Sequence, residues 1–138
     1  MDRRDLLKKA TGVIGAGGVM MASTGMGASS LSSSSAVKTN VRDALDACIS
    51  SCLDCFRSCM GEVDAIDCSN SAFDCMEVCK ALRSLLSGDS PLVSELAAVC
   101  VEACLRCAEA CEAHSGDPEC VDCAAACREC ARLVQELV

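Results

Sequence analysis

The chain has 138 residues, enough for one domain once its first segment is set aside. Fifteen cysteines, two phenylalanines and no tryptophan or tyrosine mean that any core must be filled with Cys, Ala, Leu and Val. Net charge is −8, and because the first 36 residues are net basic the remainder carries about −10, a surface that repels phosphates and excludes nucleic acid as a partner. With one histidine, no Ser/His/Asp arrangement and no phosphate loop, no enzymatic activity is expected.

Residues 1–36 read as a targeting segment in three parts. Arg3-Arg4-Asp5-Leu6-Leu7-Lys8-Lys9 is a twin-arginine n-region. Ala10 to about Ala28 is weakly apolar and holds six glycines, too poor in strong apolar residues for a membrane anchor. Ser29–Ala36 is small and polar, with a cleavage site expected between Ala28 and Val37. The pattern resembles the bacterial twin-arginine export signal, with Asp2 where that signal usually carries Ser or Thr. The resemblance implies export to the periplasm or an associated internal-membrane lumen, with the cargo folded before it crosses. Its thiols would then be buried or metallated before meeting an oxidising compartment.

Residues 37–138 form the expected domain, and every cysteine lies between Cys48 and Cys130. Cys48, Cys52, Cys55 and Cys59 are spaced C-x3-C-x2-C-x3-C, and Cys100, Cys104, Cys107 and Cys111 repeat that spacing. Cys68, Cys75 and Cys79 follow the same template with Ala72 in the missing place. Cys120, Cys123, Cys127 and Cys130 show the same alternation shifted by one step. Alternating steps of three and four place residues on one stripe of an α-helix, the seam that faces a bundle core. No alternation of period two supports a strand.

Helices are predicted over 39–60, 63–87, 91–114 and 118–137. Gly61 and the Gly88-Asp89-Ser90-Pro91 and Gly116-Asp117-Pro118 turns separate them, with Ser90 and Asp117 as N-caps. Short connections make consecutive helices antiparallel, so the fold class is all-α, an up-down four-helix bundle with a cysteine-lined core. Extending each seam brings Val41, Leu45, Leu82, Leu86, Val93, Ala97, Val134 and Leu137 to one end as an aliphatic plug. Glu62, His114 and the Gly116-Asp117 turn fall at the other end. The cysteine layers between run about 16 Å. A second stripe, Ile49, Leu53, Phe56 and Met60, either flanks the core or forms an oligomer contact.

Buried cysteine can act as a small hydrophobe, but not at nearly every core position, where leucine would pack better. Disulfides suit a small exported chain, yet the cysteine count is odd and cysteines four apart on a helix point the same way. Cys120–Cys130 lacks ferredoxin spacing, and structural zinc uses one four-ligand set rather than a column. The C-x-x-C pairs (52/55, 104/107, 120/123 and 127/130) lack the βα context of redox motifs. Soft thiolates select Cu(I) or similar ions. Since each Cu⁺ neutralises one thiolate, loading should approach one ion per cysteine, on the order of a dozen or more, with release of protons. A metallothionein-like sequestration of zinc, cadmium or copper and a disulfide-linked structural protein remain as alternatives.

The cysteine-lined helices, the C-x3-C-x2-C-x3-C repeats and the twin-arginine signal together resemble the bacterial copper storage proteins. The resemblance implies a homotetramer of four-helix bundles holding Cu(I) for supply to copper-requiring enzymes, such as methane-oxidising ones, or exchange with copper chaperones. It also implies His and Met residues that receive metal at the open end. His114 is the natural candidate and Met60 a weaker one, while Met76 is read as packing.

Overall fold

The computed structural model describes residues 28–138 of the protein. The twin-arginine n-region and most of the apolar stretch therefore lie outside the described residues. Four α-helices follow one another: α1 (Ala28–Cys59), α2 (Ile66–Ser87), α3 (Val93–Glu112) and α4 (Pro118–Val134). Short 3-10 turns at Val63–Ala65 and Gln135–Leu137 precede α2 and follow α4. Among the described residues there is no strand, and no helix is long and apolar enough to cross a membrane. The unit that carries the bundle is Ala36–Val138.

The antiparallel order follows from sulfur contacts between helices. Cys48 of α1 lies 3.8 Å from Cys75 of α2, and Cys55 lies 3.3 Å from the earlier Cys68. Cys79 meets Cys100 at 3.7 Å while Cys68 meets Cys111 at 3.4 Å, so α2 and α3 also run oppositely. Cys48–Cys127 at 3.7 Å and Cys59–Cys120 at 3.4 Å close the ring between α1 and α4.

Helix ends differ from the expected bounds in several places; α2, for one, starts at Ile66 rather than 63, because Val63–Ala65 tightens into a 3-10 turn. α1 begins at Ala28 rather than near 39, because serine tolerates helix well enough to continue one nucleated downstream. Ser90 accepts the Leu92 N–H at 3.1 Å as a cap would, but the residues it caps form a turn, and α3 starts only at Val93. α3 ends at Glu112, so His114 sits in the following turn and not on the helix. The chain after Val134 tightens into the 3-10 turn, the usual fraying of a last turn.

Two turns depend on left-handed backbone. Gly61, with φ of 90°, turns the chain out of α1, a conformation that a Cβ would strain. In the α2–α3 connection that conformation falls on Asp89, φ 51°, whose carboxylate pairs with Lys38 of α1. Asp117 caps α4 as expected: its Oδ1 accepts the Glu119 N–H at 2.9 Å, with Pro118 in the first turn. Its Oδ2 accepts the Ser58 hydroxyl at 2.6 Å, fastening the end of α1 to the start of α4.

The aliphatic plug forms. Val41, Leu45, Leu82, Leu86, Ala97 and Val134 are buried, and Val93 and Leu137 are half-buried against them. Ile49, Leu53 and Phe56 also pack half-buried against the core, and Phe56 meets Phe73 with ring centroids 5.7 Å apart. Met60 leaves that stripe and is 61% exposed, since it lies in the turn that Gly61 completes. Met76 is buried in the core.

Candidate metal centre

The 3/4 spacing turns every cysteine inward. All fifteen are free thiols; Cys68 is 2% exposed and the others 0%. Next to the plug, the sulfurs of Cys48, Cys79, Cys104 and Cys130 lie within 4.8 Å of one another, and Cys100 is 3.7 Å from Cys79. Cys48 is shared with the next group, Cys52, Cys75 and Cys127. Cys52 and Cys127 are shared again with Cys107 and Cys123. Cys107 passes to Cys111 at 3.9 Å, and Cys111 to Cys55 and Cys68 at 3.6 and 3.4 Å. The last group is Cys55, Cys59, Cys68 and Cys120. The sulfurs thus form one continuous column in which neighbouring groups share atoms.

Ala72 is wholly buried on the α2 stripe between Cys68 and Cys75. The group of Cys52, Cys107, Cys123 and Cys127 takes sulfurs from α1, α3 and α4 and none from α2. In that group α4 supplies two sulfurs, so the column stays continuous past the alanine.

Proton affinity follows from burial and from the neighbours. Desolvation is the main reason that the Cys59 and Cys120 thiols are held above the ordinary value of 9.0, with hydrogen bonds to Cys68 adding in the same direction. Deeper in the column, neighbouring thiols share the load unequally. Hydrogen bonds led by Cys104 pull Cys48 down, and one led by Cys100 pushes Cys104 up. A thiolate formed at one position draws S–H donors from its neighbours, which then hold their own protons more firmly. Loading at the thiols that hold their protons, Cys59 and Cys120 among them, must release those protons.

For Cys59 and Cys120 the raised values fix the sign of their contribution to stability. Between the ordinary thiol value and the raised folded one, the folded state holds more protons than the unfolded chain, so stability falls as pH rises. Through these two thiols the empty protein is expected to be insensitive to pH between about 6 and 8 and to lose stability progressively above about 9. Denaturant midpoints measured anaerobically from pH 6 to pH 11 check this; a midpoint that climbs with alkalinity contradicts it.

At the end away from the plug the donor set changes. His114 Nδ1 lies 3.5 Å from the Cys120 sulfur, and Cys59, His114, Asp117 and Cys120 place one ligand atom each within 4.8 Å of one another. In the sequence Asp117 stands only as a helix cap; its Asp-Pro setting carries no signal of a second role. Its carboxyl is held below the usual carboxylate range, chiefly by the Ser58 hydroxyl. A groove of about 530 Å³ also reaches this end, lined by Asp64, Asp67, Glu109 and Arg106 and touching Cys68 and His114. Cys68, the one cysteine with any residue exposure, thus borders a predominantly acidic approach that attracts cations.

Residues 34–138, the whole bundle, match the family described as copper storage protein. The chain belongs to the copper storage protein family. Over 102 residues, this copper storage protein is 29% identical to the uncharacterized cysteine-rich protein YhjQ of Bacillus subtilis (strain 168), covering 67% of this chain and 94% of that relative. It is also similar to a solved structure, the Cu(I)-bound copper storage protein BsCsp3. That match has a TM-score of 0.68 at 26% identity, over 73% of this chain and 97% of the other. Membership joins the two halves of the expectation: the four-helix fold and a core of clustered cysteines that stores copper.

Proposed function

We propose that this copper storage protein fills its sulfur column with Cu(I) to near one ion per thiolate, on the order of a dozen or more. The observation that carries this reading is the sharing of sulfurs between successive groups, in which Cys48, Cys52 and Cys127 each belong to two. Cu(I) needs only two or three sulfurs, so contacts of 3.3 to 4.0 Å along and between helices supply many overlapping sites. All fifteen cysteines, Cys48 through Cys130, act as ligands. The stored metal serves copper-requiring enzymes or chaperones, and the protein performs no catalysis itself.

His114 receives incoming metal beside Cys120, and the acidic groove leading to Cys68 concentrates it. Met60, exposed beyond Cys59, is a secondary contact for the arriving ion. Export by the twin-arginine route to the periplasm or an associated lumen fits a protein that must fold with its thiols reduced. Assembly as a homotetramer is part of the same proposal; exposed apolar residues such as Phe73 and Val99 offer surface for it.

Metal competition tests the storage reading against metallothionein-like sequestration. Protein loaded with Cu(I) and challenged anaerobically with excess Zn(II) is expected to keep nearly all its copper, because soft thiolates prefer the softer ion. Displacement of most of the copper would favour the sequestration reading instead.

A further inference from the structure

The connection between α1 and α2 carries the two most exposed large apolar side chains among the described residues, Val63 at 81% and Met60 at 61%. Ile66, at the start of α2, adds a third at 52%. The backbone here is held in place. Gly61 turns the chain, the Glu62 N–H donates to the Cys59 carbonyl and the Ala65 N–H to the Glu62 carbonyl, each at 3.1 Å. Ala65 is buried, so the turn is anchored while Val63 and Ile66 on either side of it stay in solvent.

A groove of about 200 Å³ runs between these side chains, lined by Cys59, Glu62, Val63, Ile66 and Asn70 among others. It is smaller than the about 300–1,000 Å³ of a small-molecule site and suits a single inserted side chain. It shares no lining residue with the acidic groove that borders Cys68. Resting on the storage reading above, we propose that this corner is the docking surface for a copper-carrying partner protein. The partner is one whose Cu(I)-binding sulfur sits at an apolar tip ringed by lysine or arginine.

Charge selects that partner. Glu62, Asp64 and Asp67 surround the apolar residues and are all exposed, and between Arg57 and Lys80 the chain holds five acids and no base. An isologous contact with a second copy would set these acids against one another, and an anionic lipid surface would repel them. A basic rim complements them, and an apolar centre within a charged rim is the anatomy of a contact between proteins.

The groove also gives the contact a purpose. A side chain that enters it reaches Cys59, a member of the last sulfur group of the column. Transfer to the partner is then a ligand exchange. The partner's thiol loses its proton and its sulfur bonds to the Cu(I) held by Cys59; the bond from Cu(I) to Cys59 breaks, and Cys59 takes up a proton. Copper remains Cu(I) throughout, because that ion accepts two or three sulfurs and can pass between them without a change of charge.

The test gives the copper-loaded full chain, anaerobically, a peptide holding Cys-x-x-Cys and one leucine between pairs of lysines. A second peptide has glutamates in place of the lysines. Transfer is expected to be about tenfold faster or more to the lysine peptide at low salt, with the advantage largely lost at about 1 M salt. Val63→Ser combined with Ile66→Ser should slow transfer to the lysine peptide about tenfold, as loss of anchoring side chains does. Circular dichroism verifies the fold of that variant, and its total uptake of Cu(I) from solution should be unchanged, since neither residue lines the acidic groove. Equal rates to the two peptides, or an unaltered rate in the variant, overturns the proposal. A change in the variant's oligomer size also overturns it, because the corner would then be a contact between copies. Copper capacity of the unaltered chain is measured separately, so failure of the docking surface and failure of storage are distinguishable.

Discussion

Leu82→Ala is expected to destabilise the empty protein by about 2–5 kcal/mol, measured by denaturant unfolding under reducing, anaerobic conditions. Leu82 is wholly buried, and Leu45, Leu82, Val41 and Val134 head the fully buried side chains by volume. The other fully buried positions are mostly cysteine and alanine, which remove less apolar surface from water per residue. The plug thus carries a disproportionate share of the hydrophobic stabilisation. For a domain whose total stability is on the order of 5–15 kcal/mol, the substitution removes a large fraction. Leu105→Ala, on the half-exposed outer face of α3, is the control and should change stability by no more than about 0.5 kcal/mol. Equal effects at the two positions would mean that the plug has no special role.

Copper loading should have an effect larger still and of opposite sign. A ligand that binds the folded state alone stabilises it by about 2.7 kcal/mol per site at a hundredfold excess over its dissociation constant, and many sites add. The unfolded chain keeps its cysteines and also binds copper, which reduces the gain without abolishing it. A thiolate in an unfolded chain cannot share ions among four helices as Cys48, Cys52 and Cys127 do here. The loaded Leu82→Ala variant is therefore expected to unfold thermally above the empty unaltered protein. Coincident melting of loaded and empty protein would show that copper is held at the surface and not within the bundle.

The bundle was legible because one pattern specified both helix and core. Spacings of three and four put fifteen cysteines on four stripes, and all fifteen are buried. The same register carried the plug residues inward, although Val93 and Leu137 remain half-buried at its rim. Ala72 was legible as a vacancy from the template alone. Helix ends were less so, because they depend on which turn residues win locally. Ser90 caps a turn instead of α3, and Asp89, not Gly88, takes the left-handed conformation. The mouth was legible only in part. His114 was visible as the lone histidine, but its contact with Cys120 depends on the turn between α3 and α4. Asp117 and Ser58 are 59 positions apart, and nothing in their spacing announces that they meet.

Ligand sharing along the column is the centre of the account, and it is tested most directly by anaerobic titration of the reduced protein with Cu(I) against a competing chelator. Uptake of about a dozen or more ions per chain, with little change in helicity, is the result expected. Saturation at four or fewer would contradict storage and leave a chaperone or a structural site in its place.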